Sequence, residues 1–161
     1  MTIAPIKRVT LWVRSADRSL GFYRDLLHLS VLDDKVLEGP YVARLIGLES
    51  CRIRMVHLAP AGATHGWLGL YEVTAATPAP REAAAPDPDR IMYGLASIVL
   101  EVDDVAARSA ALKRAGVRFM LAPMSYDKAS PSPGMPAGTY TEAICFDPDG
   151  VSVSLISCRT R

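Results

Sequence analysis

Surplus charge is missing from this chain, and that excludes several kinds of protein. Eighteen Lys and Arg against seventeen Asp and Glu leave a formal charge of only +1, so no basic excess points to nucleic acid. Long apolar runs are missing too. None approaches the roughly 18 residues that cross a bilayer, and the stretch from Met1 to Arg8 has no apolar signal core. The expectation is a soluble, cytoplasmic protein with no membrane partner. Cysteine is scarce: Cys51, Cys145 and Cys158 are odd in number, far apart and set in apolar, strand-like stretches. Reduced buried thiols fit that pattern better than disulfides, and no neighbouring His marks one of them as a nucleophile.

What is present is globular. Half of the 161 residues are hydrophobic and 22% are charged, enough chain for one core and too little for two ordinary domains. From Ile6 to Arg14 the residues favour a strand, with Ser15 and Asp17 offering a helix cap. Leu20, Tyr23 and Leu27 follow at helical spacing, the stripe widened by Phe22 and Leu26. The pattern returns at an offset of 89 residues, with Val9 to Val13 matching Ile98 to Val102. Asp103 and Asp104 are the second pair of cap candidates, and Val105, Ser109 and Leu112 share a helix face before Gly116 ends it. Further strands are predicted at Leu29–Leu37, Cys51–Leu58 and Trp67–Thr74, then at Val117–Leu121, Thr139–Phe146 and Val151–Ser157. Each half reads βαβββ, giving an α+β domain over 1–161 with modules at about 4–74 and 92–158.

A Pro- and Ala-rich stretch at 75–91 reads as a semi-rigid linker. A second proline-rich segment, Ala122 to Gly138, is predicted irregular, either a surface loop or a lid carrying Tyr126 and Asp127. Asp147-Pro148-Asp149-Gly150 is predicted to be a hairpin turn, its carboxylates structural.

The doubled βαβββ order, the run Phe22-Tyr23-Arg24-Asp25-Leu26-Leu27, the strand exit Leu100-Glu101-Val102-Asp103-Asp104 and the Asp147–Gly150 hairpin together resemble the vicinal oxygen chelate superfamily. The resemblance spans nearly the whole chain. It implies two modules whose sheets curl around a cleft, with helices outside and pairing into homodimers common. In metal-dependent relatives, a His on the first strand and a Glu on the last strand of each module hold the ion. Those positions fall here on Arg8, Gly69, Ser97 and Ser154, none of them a good ligand, so the usual metal site is predicted absent and no cofactor is expected. His57, His65 and Glu72 are the remaining candidates, and their spacing matches no closed metal signature, so they read as edge or surface residues.

Because residues two apart share a strand face, the cleft face would carry Arg8, Thr10 and Trp12; Trp67, Gly69 and Tyr71; Ser97, Val99 and Glu101; and Ser152, Ser154 and Ile156. Glu72 falls on the other side. The opposite faces, with Val9, Leu11, Val13, Leu68, Leu70, Ile98, Leu100, Val102, Val153 and Leu155, are almost purely apolar and suit burial under the helices. Aromatic walls with a few polar groups are the make-up of a small-molecule pocket. Arg8 either grips an oxygen of a ligand or pairs with Glu101, and Trp12, Trp67 and Tyr71 either stack on a planar ligand or fill core. Arg52 and Arg54 put two cations on one face of the third strand, as a solvated face, a dimer rim or an anion-binding wall. Three functions follow. The first is a metal-independent binder of an apolar or aromatic small molecule. The second is a metal-free lyase or isomerase acting on a carbonyl compound, with Glu101 as base and Arg8 stabilising an oxyanion. The third is a dimerising scaffold with a decayed site.

Overall fold

A computed structural model describes residues 3–81, 94 and 96–160. The chain divides into two compact units, 1–84 and 85–161. In the first, β1 (Arg8–Val13) leads into α1 (Ala16–Leu20), followed by β2 (Ser30–Glu38), α2 (Pro40–Leu45), β3 (Ser50–Ala59) and β4 (Trp67–Thr77). The second has β5 (Ile98–Glu101), α3 (Val105–Arg114), β6 (Phe119–Lys128), β7 (Gly138–Phe146) and β8 (Ser152–Thr160). Each unit is one mixed four-stranded sheet with the same order, β1-β4-β3-β2 and β5-β8-β7-β6, so the repeat is one of topology as well as of sequence. The first strand lies parallel to the last in each, and the other pairings are antiparallel.

Capping chemistry fixes where the helices start. Ser15 accepts a hydrogen bond from the Arg18 amide, and Asp104, of the two candidates, accepts one from the Ala107 amide at 2.9 Å. After α1 the chain widens into a π-helical turn, Gly21–Leu26, ending at His28 in the left-handed region at φ 62°. This turn buries Phe22 and Tyr23, packed edge to face at 4.9 Å.

Strand alternation places the core as expected. Leu11, Val13, Leu68 and Leu70 are buried, as are Val153 and Leu155. Val9 is an exception and stays exposed, while Ile98, Leu100 and Val102 are half-buried. All four lie in or beside the edge strands β1 and β5, which have a neighbour on one side only. On α3, Val105, Ser109 and Leu112 are buried together. The Ser109 hydroxyl has no hydrogen-bond partner among the described residues. Ser109→Ala is therefore expected to stabilise the fold, by about 1 kcal/mol, because it removes an unpaired buried hydroxyl and improves helix propensity. A lower thermal midpoint in the variant would contradict this.

Four sequence expectations need correcting. The segment from Ala122 is not irregular throughout, because β6 continues through Pro123 to Lys128 with bulges between Phe119 and Met124. A proline is tolerated there since β6 is an edge strand. Tyr126 consequently sits in the ladder opposite Tyr140, with the rings stacked at 5.7 Å, and is not on a lid. Second, a short helix, α2, intervenes between β2 and β3 and packs Ala43 onto Cys51 and Ile53. Third, Arg54 is not a bare cation: it donates to both Asp34 oxygens and to Asp17, while Arg52 reaches Glu38 at 3.6 Å. β4 also runs on to Thr77, so Ala75–Thr77 are strand. Residues 82–91 of the expected linker lie outside the described residues.

The Asp147–Gly150 turn joins β7 to β8 as expected. The Asp147 carboxylate is buried and accepts from the Asp149 and Val151 amides, and Gly150 takes φ 88°.

Candidate functional site on the first sheet

The face of the first sheet turned away from α1 collects the unusual side chains. Which face this is follows from Glu72, whose carboxylate accepts the Ala16 amide at the start of α1, and from Arg54, which reaches Asp17 in α1. Gly69 and Tyr71, each an odd number of residues from Glu72 on β4, therefore face the other way. Parallel pairing sets Arg8 beside Trp67, Thr10 beside Gly69 and Trp12 beside Tyr71. On the far side of β4, His57 pairs with Gly69.

Arg8 is the centre of this group. Its Nε donates to Thr10 Oγ1 at 2.9 Å and its Nη1 to His57 Nε2 at 3.0 Å, with the guanidinium 5.5 Å from the Tyr71 ring centre. The arm reaches His57 by crossing Gly69. A Cβ built on Gly69 would sit 2.9 Å from Arg8 Cδ, 3.2 Å from Thr10 Oγ1 and 3.2 Å from the Tyr71 ring. The absent side chain is thus what lets the guanidinium lie across the sheet.

His57 is neither an edge nor a surface residue, contrary to the sequence expectation. It is only 8% exposed and lies on the inner strand β3. A period-two run, Cys51, Ile53, Met55 and His57, was the available signal, because the first three are apolar and buried on the same strand. Arg8 can only donate, so His57 Nε2 accepts and the ring proton belongs on Nδ1; the Tyr71 hydroxyl lies 3.2 Å from the same nitrogen. Burial first, then the Arg8 charge, holds His57 below its ordinary value near 6.5, with Lys35 reinforcing and Asp33 opposing. The unfolded chain therefore takes up a proton on His57 before the folded one does, and stability falls as pH drops from 6.5 through the lower folded value. Thermal melts at about pH 7 and about pH 5 should show a larger loss for the natural chain than for His57→Gln. Equal losses would contradict the assignment.

The aromatic groups complete the face. Trp12 is 53% exposed and stands edge-on to Tyr71 at 5.8 Å. Trp67 is half-buried: its indole N–H donates to the Ala63 carbonyl, Lys7 Nζ covers one ring face at 3.8 Å, and His57 lies 6.0 Å away. Lys7 also donates to the Thr64 carbonyl, and Lys35 is paired with Asp33 at 2.6 Å.

The equivalent face of the second sheet is different in kind. Val99 and Glu101 are exposed, Ser97 precedes β5 and is half-buried, and Ser152 is half-buried on β8. Ser154, expected to line a cleft, is 1% exposed and donates to Glu142 at 2.6 Å. Its hydroxyl is spent, because the neighbouring strand β7 supplies a carboxylate that the sequence reading did not single out. Burial, with Cys158 beside it, pushes the Tyr140 phenol up to about 12, and burial pushes the Cys145 thiol up to about 11. Neither is a ready nucleophile at neutral pH. Cys51, Cys145 and Cys158 are all free thiols, the first two buried.

The donor set at the family's ligand positions does not suit a divalent ion: Arg8 is a cation, Gly69 has no side chain and Ser154 is committed to Glu142. Among the described residues no group of three or more His, Cys, Asp or Glu side chains is close enough to hold a metal ion. His57 and Glu72 face opposite sides of the sheet, and His65 sits in the β3–β4 loop against Thr64. Among the same residues no helix is long and apolar enough to cross a membrane.

Two modules of this topology, each with strand and face positions in corresponding places, define a class. The chain belongs to the Glyoxalase/Bleomycin resistance protein/Dioxygenase superfamily, whose family model matches residues 5–155. Among solved structures it is similar to a glyoxalase family protein from Bacillus cereus, at 17% identity and a TM-score of 0.77, covering 98% of this chain and 96% of that one. A glyoxalase family protein from Enterococcus faecalis is similar at 17% identity and 0.61, covering 97% and 99%. The trypanothione-dependent glyoxalase I of Leishmania major is similar at 20% identity and 0.57, covering 96% and 87%. At these identities the likeness is one of fold. No curated protein matches the sequence.

Proposed function

We propose that the chain is a metal-independent, cytoplasmic small-molecule-binding protein that takes an apolar or aromatic ligand on the face formed by Arg8, Thr10, Trp12, Trp67 and Tyr71. The observation that carries this reading is Trp12, a large aromatic side chain left half exposed and edge-on to Tyr71, beside a guanidinium held in place by Thr10 and His57. A half-exposed indole beside a second ring and an ordered cation offers a planar ligand both a stacking surface and a polar anchor. Val99, Glu101, Ser97 and Ser152, on and beside β5 and β8, are assigned a lesser part, as candidate ligand contacts of the second sheet taken by itself. Homodimer formation belongs to the same reading and is supported by the exposure of Met120 and Met124 on the edge strand β6.

The test uses protein dialysed against a chelator. Both tryptophans of the chain lie on this face, so intrinsic emission reports on it directly. Saturable quenching by planar aromatic compounds is expected, unchanged by added divalent ions and lost in Trp12→Ala. Binding that requires a metal ion would overturn the reading. The catalytic alternative gives Glu101 the role of base; there Glu101→Gln would abolish turnover while leaving binding intact.

A further inference from the structure

The geometry points to an aromatic carboxylate as the ligand class of the first-sheet face, with its carboxylate on Arg8 and its ring against Trp12 and Tyr71. This rests on the binding role proposed above and adds to it the sign and number of the ligand's charges.

The argument is a count of hydrogen bonds and charges. A guanidinium has five N–H groups, and Arg8 uses two of them, one on Thr10 and one on His57. Within the first module every group that Arg8 touches is neutral: a hydroxyl, an unprotonated imidazole and a phenol ring. The other cations of this face are engaged. Lys35 is neutralised by Asp33, and Lys7 lies over the Trp67 ring with its ammonium on the Thr64 carbonyl. Among the described residues of the first module the Arg8 charge meets no carboxylate, which suits a ligand with one negative charge better than a phosphate dianion. The remaining N–H groups of Arg8 form a planar fork, the geometry that carboxylates accept two-pronged.

The flanking rings set the rest of the molecule. Trp12 and Tyr71 stand at an interplanar angle of 81°, so they make a corner and not a flat shelf. A planar ring seated in that corner stacks on one ring while presenting its own edge to the face of the other, and both contacts are favourable for aromatics. Trp67 contributes less, since one of its faces is taken by Lys7.

The experiment compares matched pairs on the whole, untagged chain: benzoate, phenylacetate and phenylpropionate against benzyl alcohol, phenylethanol and phenylpropanol. Tryptophan emission, excited at the red edge of the indole band, follows binding. The acids are expected to bind at least about tenfold more tightly than their alcohols, the discrimination a charge-assisted pair supplies. Arg8→Met, at an exposed position where the fold has little stake, is expected to erase that difference. Gly69→Val is expected to do the same with Arg8 still present. Alcohols binding as well as acids, with Arg8→Met silent, would overturn the carboxylate assignment and leave the aromatic binder standing. Failure of both series to bind would overturn both readings.

Discussion

Replacing Leu70 by Ala is expected to remove about 2–5 kcal/mol of stability, the usual cost of emptying a buried leucine site. Leu70 is fully buried on β4, an inner strand, with Leu11 beside it on β1 and Val56 on β3. Hydrogen-bonded ladders on both sides hold these neighbours at fixed spacing, so the sheet cannot close over the gap. At roughly 2–4 °C per kcal/mol for a chain of this size, the thermal midpoint should fall by on the order of 10 °C. Val9→Ala, on the same face but exposed, is the control and should cost under about 1 kcal/mol. Equal losses at the two positions would mean that the face beneath α1 is wrongly identified.

Gly69→Val is expected to weaken binding of an aromatic acid by about 10- to 100-fold, the value of one or two charge-assisted hydrogen bonds. The added Cβ would meet the Arg8 side chain at 2.9 Å, and the branched methyls would fill the track along which Arg8 reaches His57. Arg8 is flexible and exposed, so it swings away instead of breaking the fold. Valine is also a good strand residue, which keeps the expected change in stability within about 1 kcal/mol. Titration and melting of the same preparation check both halves of this expectation. A large stability loss with unchanged affinity would show that Gly69 serves packing and not the placement of Arg8.

Much of this architecture could be read from local pattern. The 89-residue offset between Val9 and Ile98 predicted two copies of one unit, and period-two alternation put Arg8, Thr10, Trp12, Trp67 and Tyr71 on one face because that rule needs only neighbours in sequence. What escaped were features set by partners far away in sequence or by elements too short to show a period. α2 has six residues, fewer than two full turns, and leaves no amphipathic signature. Pro123 reads locally as a strand breaker, because nothing nearby in sequence says that β6 is at an edge. The pairing of His57 with Arg8, 49 residues away, depends on strand order, and so does the capture of Ser154 by Glu142. The face could be predicted; its hydrogen bonds could not.

The two sheets share an order, yet they have diverged most on one side. Under the helices the copies still match, Val9 with Ile98, Leu11 with Leu100 and Val13 with Val102. On the other side Arg8 stands where the second copy has Ser97, Thr10 where it has Val99, and Trp12 where it has Glu101. Following the ladders one strand further sets His57 against Ile144 and Met55 against Glu142. Duplication has therefore supplied a spare. The second copy retains the scaffold but carries Ser154, Glu142 and the stacked Tyr126–Tyr140 pair on that face in place of Arg8 and the tryptophans, so substitutions at Val99, Ile144 and Ile156 alter its surface chemistry without touching Arg8 and its partners.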